Sequence, residues 1–132
     1  MAFSRYNAKD TSITIDGVNI TALAEDFWSF EKEEAYSENE VGAMGDVCRS
    51  EINNPLWNAT VTVQKTCPQA KFLRSLKDRT EPFPIWCINK TLGLREGGTQ
   101  AMVNEAPASE LGATAGEIEF AFVVYDGVSV TE

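Results

Sequence analysis

The sequence contains no histidine. Its absence removes Ser-His and Cys-His nucleophile pairs, most zinc chemistry and the side chain that titrates most readily near neutral pH. Cysteine is scarce: Cys48, Cys67 and Cys87 are odd in number and far apart. That fits neither a disulfide framework nor a zinc site with closely paired ligands, so all three are expected to be reduced, half-buried residues. Apolar runs are short, and none approaches the roughly 18 residues needed to span a bilayer. The opening Met1-Ala2-Phe3-Ser4-Arg5-Tyr6 lacks the apolar core of a signal peptide, so the chain is expected to be made and kept in the cytoplasm. Gly-rich phosphate cradles and nucleophile elbows are both missing. Positive charge is short as well. Eleven Lys and Arg face 20 Asp and Glu, a formal net charge of -9, which argues against gripping nucleic acid through phosphates.

What is present is a folded composition. The 132 residues are 43% hydrophobic and 23% charged, enough for one core and too few for two ordinary domains, so residues 1–132 are read as a single domain. Thr11 to Thr21 alternates apolar and polar residues around the turn signal Asp16-Gly17 and predicts a short hairpin. Phe27 to Glu34 alternates next, with Trp28 and Phe30 on one face and Ser29, Glu31 and Glu33 on the other. The polar stretch Glu34 to Gly45 reads as a long loop or as the tip of an extended hairpin covering about 27–53, with Asp46 to Asn53 as the returning strand. Trp57, Ala59, Val61 and Val63 against Asn58, Thr60, Thr62 and Gln64 give the clearest strand so far.

A helix is predicted at about 67–79, with Thr66 or Cys67 as N-cap, Pro68 in the first turn, and Ala70, Leu73 and Leu76 at helical spacing. Its outer face carries Lys71, Arg74, Lys77 and Arg79, a solvated surface or, in an oligomer, a surface for an acidic neighbour. Pro82 to Asn89 is the next strand, Gly97-Gly98 is read as the turn into a strand at about 99–105, and a loop follows around Pro107 and Gly112. The last strand, Glu117 to Tyr125, carries Ile118, Phe120, Phe122 and Val124 on one face, as a central strand does. The expected fold class is mainly β with one α-helix.

Residues 25 to 46 hold eight carboxylates against the single base Lys32. A calcium site lacks the EF-hand spacing, and a glycosidase pair needs two fixed carboxylates in a cleft. The structural readings are a solvated acidic face, or a negative wall to which DNA does not stick. Exposed Trp28, Trp57 or Trp86 would suit a small carbohydrate-binding β-sandwich, but their strand neighbours are apolar and favour core packing. Asn19, Asn58 and Asn89 each open an Asn-x-Ser/Thr triplet, a chance product of alternating strands where no secretory signal is present.

The segment Val41-Gly-Ala-Met-Gly-Asp-Val-Cys-Arg-Ser-Glu-Ile-Asn-Asn54 resembles the acidic hairpin tip, Gly-Asp/Glu-Val turn and Arg-Ser strand of the tail tube proteins of contractile-tailed phages, prophage particles and tailocins. The likeness continues through Thr60 to Pro68, the helix ending near Leu76, Phe83-Pro-Ile, Glu105-Ala-Pro, Glu110-Leu-Gly and Ala115 to Phe120. The resemblance implies a β-barrel or sandwich flanked by a helix, six copies to a ring, and rings stacked into a hollow tube. It implies no catalytic residue, metal or cofactor. Implied partners are further copies of the chain, a sheath protein, baseplate and terminator proteins, a tape measure protein in the lumen, and DNA only as passing cargo. The implied setting is the host cytoplasm during assembly and then the particle. Ser29, Glu31 and Glu33 are the expected lumen-facing residues. Glu34, Tyr36, Glu38, Glu40, Val41, Met44 and Asp46 are the expected inter-ring or inter-subunit contacts. A terminator, a hub or a secretion-system tube subunit of the same fold is the alternative.

Overall fold

The computed structural model describes residues 2–131. Ten strands follow one another: β1 (Thr11–Ile15), β2 (Val18–Ile20), β3 (Leu23–Lys32), β4 (Ser37–Val41), β5 (Val47–Glu51), β6 (Trp57–Gln64), then, after a helical interruption, β7 (Phe83–Asn89), β8 (Leu94–Glu105), β9 (Glu117–Val124) and β10 (Val128–Thr131). Seven of them form one antiparallel sheet in the order β2-β1-β7-β8-β9-β6-β3, with β10 against the first half of β8, while β4 and β5 pair only with each other.

Register places one apolar face inward. Val61 lies opposite Phe120, Ala59 opposite Phe122 and Val63 opposite Ile118 across β6 and β9. Ile13 and Ile15 of β1 face Cys87 and Ile85 of β7. All ten are buried. Phe83 and Phe122 meet edge to face with ring centroids 6.0 Å apart, and Trp28, Phe30 and Trp57 stack at 5.8 and 4.7 Å, arrangements that add to the apolar area they bury. The sheet also rolls. Trp28 on β3 donates its indole N–H to Glu96 on β8 over 3.2 Å, although three strand spacings would put those backbones about 14 Å apart in a flat sheet.

The one α-helix among the described residues, α1 (Ala70–Ser75), continues into a 3-10 turn at Leu76–Asp78. It is shorter than the predicted 67–79, and neither Thr66 nor Cys67 caps it: Gln69 holds the N-cap position without a side-chain cap bond. The Gln69 carboxamide oxygen is engaged elsewhere, accepting from the Thr21 N–H and hydroxyl at 3.0 and 2.9 Å, so the helix start is tied to the turn before β3. Leu73 and Leu76 plug the core. Arg79 departs from the expected basic outer face. It pairs with Asp16 and lies over the Phe83 ring at 5.6 Å.

Three further expectations need correction. Gly97-Gly98 is no turn. Both residues lie inside β8, and the reversal falls at Lys90 to Gly93 instead. Gly97 has φ 135°, and a Cβ there would stand 2.0 Å from the Ile85 carbonyl oxygen, so the pair marks a close backbone approach where the β7–β8 register shifts. Glu117–Val124 is not the last strand, because β10 follows. Its turn is held by Asp126, whose carboxylate accepts the Gln100 N–H at 2.9 Å and the Thr99 N–H at 3.2 Å. Slight burial works to raise that carboxyl's pKa, but the hydrogen bonds from Thr99 and Gln100 outweigh it and hold it below its ordinary value. Finally, only Cys67 and Cys87 are buried. Cys48 is exposed on β5, and all three thiols are free.

Candidate functional site

Three surface features stand out from the rolled sheet. The first is the arm made by β4 and β5. All ten strand residues except Ser37 are exposed, and the apolar side chains at its tip stand in water: Val41 is 70% exposed, Met44 90% and Val47 66%. Gly45, at φ 89°, makes the tip turn, and the Gly42 N–H closes it on the Asp46 carbonyl at 2.8 Å. Strand alternation puts Glu38, Glu40, Cys48 and Ser50 on one face and Asn39, Val41, Val47 and Arg49 on the other. The base is clamped. Ile52 N–H donates to the Tyr36 carbonyl at 2.9 Å, Lys32 Nζ lies 5.1 Å above the Tyr36 ring, and the same ammonium donates to the Asn54 carbonyl. Of the residues expected to form this region, Glu38, Glu40 and Val41 lie on β4, Met44 and Asp46 in the tip turn, and Glu34 and Tyr36 at the root.

The second feature is the outer face of the sheet. Ser29 lies opposite Thr60 and Glu31 opposite Asn58, with their side chains directed away from the core. Thr62 is opposite Glu119 and Gln64 opposite Glu117, so the face continues as an acidic stripe. It opens beside the β8–β9 loop into a depression of about 350 Å³ bordered by Glu105, Glu110, Glu117 and Glu119. Among the described residues, no cluster of three or more carboxylates or thiols has the geometry to hold a metal ion. Glu33, expected on the same face, sits just past the end of β3, where its N–H bonds to the Leu56 carbonyl at 3.1 Å. Trp86 also lies on the outer side, opposite Thr14 and Gly97, with the Arg95 guanidinium 5.3 Å from its ring centre. Trp28 and Trp57 pack against the core.

The third feature is a set of three free edges. Among the described residues β2 bonds only to β1, β3 only to β6 and β10 only to β8, leaving one flank of each with unpaired backbone groups, which are templates for another strand. Their signal was absent from the sequence, since edge status depends on strand order rather than on residue pattern.

The thiols give a direct check on this surface. Burial, with Glu96 nearby, pushes Cys87 up to about 12 from an ordinary 9.0. A thiol reagent at pH 8 is therefore expected to label Cys48 at once and the buried pair only on unfolding; immediate labelling of all three would contradict the burial. The sign for stability follows. Between pH 9 and 12 the unfolded thiol ionises while the folded one does not, so this site's contribution is full below about 9 and falls by at most about 1.4 kcal/mol per pH unit above it.

No protein-family model matches the sequence, and no curated protein matches it significantly. Solved structures do resemble it. A chain of the sheath/tube terminator of an extracellular contractile injection system, PVC, in the extended state aligns with a TM-score of 0.72 at 8% identity, covering 98% of this chain and 99% of that one. A chain of the PVC sheath-tube complex aligns at 0.66 and 8% identity, covering 97% and 93%. A chain of the virion of a native gene transfer agent particle aligns at 0.62 and 17% identity, covering 97% and 99%. The arm-bearing rolled sheet is thus a phage-tail-type fold.

Proposed function

We propose that the chain is a structural, non-enzymatic subunit that assembles with copies of itself into rings, six to a ring, stacked as the hollow inner tube of a contractile tail or tail-like particle. The observation that carries this reading is the arm: a lone two-stranded ribbon is marginal in water, and this one ends in exposed Val41, Met44 and Val47, so it is built to be covered. The free flanks of β3 and β10 support ring closure by strand pairing between neighbours. The outer face with Ser29, Glu31, Glu117 and Glu119 serves as the lumen wall, with Glu33 at its margin. Its negative charge lets DNA or a tape measure protein pass without phosphate contacts. A sheath, a baseplate and a terminator complete such a particle.

A second reading is the terminator itself, favoured by the near-complete mutual coverage of the injection-system terminator chain. Negative-stain electron microscopy with mass in solution, over a range of protein concentrations, separates the two. Hollow tubes support the tube subunit. Single rings that never stack support the terminator. A stable 14.5 kDa monomer at every concentration overturns self-assembly. Glu31→Lys is expected to leave solubility and melting unchanged, since the side chain lies on the exposed face, while altering ring contacts or the passage of a polyanion; a drop in melting temperature of several degrees would show that Glu31 is structural.

A further inference from the structure

Between α1 and the end of β8 runs a groove of about 490 Å³, within the roughly 300–1,000 Å³ of cavities that seat a ligand-sized group. Val103 and Pro107 line it above buried Leu73 and Phe120. Its helix side carries Lys71, Arg74 and Lys77, three of the chain's 11 basic residues. Asp78 and Glu105 also border it. All three bases are exposed, and among the described residues the ion pairs are Arg49–Glu51 and Arg79–Asp16, so none of the three is paired with a described carboxylate.

The arm carries the complement. One face of the ribbon offers Val41 and Val47, with Met44 at the tip, to the apolar side of the groove, the other face offers Glu38 and Glu40, with Asp46 at the tip, to its basic side, and none of these carboxylates is in an ion pair among the described residues. The arm springs from the Lys32/Trp57 end of the β3–β6 pair, whereas α1 follows Gln64 at the other end, and the strand side of the groove lies between, at the level of Val61 and Phe120.

We infer that the groove between α1 and the end of β8 is the receptor for the arm of a second copy of this chain, the ribbon entering between its two sides with Val41, Met44 and Val47 toward Val103 and Pro107 and with Glu38 and Glu40 of the opposite face, and Asp46 of the tip, toward Lys71, Arg74 and Lys77. This rests on the self-assembly reading above and specifies which surface stacks on which. Because donor and acceptor are different surfaces, the contact is head-to-tail and repeats from copy to copy instead of closing a pair. Charge-assisted contacts at a rim set register and salt sensitivity, and the apolar seat supplies most of the affinity.

The test uses the full chain with a photoreactive benzophenone amino acid in place of Met44, irradiated at concentrations that span assembly and mapped by mass spectrometry. Cross-links to residues 71–78 or 103–107 of another copy are expected. Assemblies whose cross-links map only elsewhere overturn the groove as receptor and leave self-assembly standing. A chain that stays monomeric and yields no intermolecular cross-link overturns both. In parallel, Lys71→Glu with Arg74→Glu is expected to abolish stacking while leaving the subunit's melting unchanged. Mixing it with a Glu38→Lys, Glu40→Lys copy is expected to restore stacking, because the reversed charges match again. Unaltered stacking of the Lys71→Glu, Arg74→Glu variant overturns the proposal, as does failure of the matched mixture to stack.

Discussion

Phe120→Asp is expected to leave no folded chain at ordinary temperature. Phe120 is 4% exposed, stands opposite Val61 in the middle of β9 and also underlies the groove beside α1. Removing the ring forfeits roughly 3–5 kcal/mol of packing, and a carboxyl placed there without a partner adds roughly 1–3 kcal/mol even if it stays protonated. The total is comparable to the whole stability of a small domain, about 5–15 kcal/mol. Far-UV circular dichroism and the soluble fraction on expression report the outcome. Phe120→Leu, which keeps most of the volume, is the control and should cost about 1.5 kcal/mol or less. An unchanged melting temperature for Phe120→Asp would mean that the inward face of β9 has been assigned the wrong way round.

Gly97→Val is expected to be nearly as damaging, for a different reason. The substituted Cβ has no rotamer by which to escape: it is fixed by the backbone, 2.0 Å from the Ile85 carbonyl oxygen and 2.9 Å from its carbon. The obstacle is itself backbone in the neighbouring strand, so β7 and β8 must separate at the point where their register shifts. Strain at φ 135° alone costs about 1–3 kcal/mol, and loss of ladder hydrogen bonds adds to it. Thermal melting should fall by about 10 °C or more for a domain of this size. Gly112→Val is the contrasting case, since nothing lies within 4 Å of a Cβ there, and it should melt like the parent chain.

The same glycine shows where reading the chain runs out. A Gly-Gly pair carries one local meaning, freedom from a side chain, and two structural uses, a reversal or a close approach between strands; only the partner strand decides between them. β6 and β9 were legible because Trp57 to Val63 and Ile118 to Val124 alternate strictly, with Ala59, Val61 and Val63 of β6 and every second residue of β9 buried. β10 was not, since its four residues are exposed or half-buried and impose no inward pattern. The helix was foreseen in place but not in length. Nothing in its own segment says that Gln69 is claimed by Thr21, a residue 48 positions earlier. The candidate surfaces divide the same way. The arm is a contiguous segment, so its residues could be named from sequence, and the structure draws them into one exposed ribbon. The groove collects residues 71–78, 103–107 and 120 from three separate segments, and no stretch of sequence contains it.

The position of the arm has one more consequence. It leaves one end of β6 while the helix follows the other, so a stack joined through these features would be a polymer with unlike termini, one presenting arms and one presenting grooves. A copy shortened at residues 37–51 but otherwise intact would be accepted at the arm-bearing terminus and would offer no arm to the copy after it. Such a copy would act as a chain-stopper: mixed in at a small mole fraction, it would set the mean length of the stacks as a monofunctional monomer sets the length of a condensation polymer, with no change to the fold of any subunit.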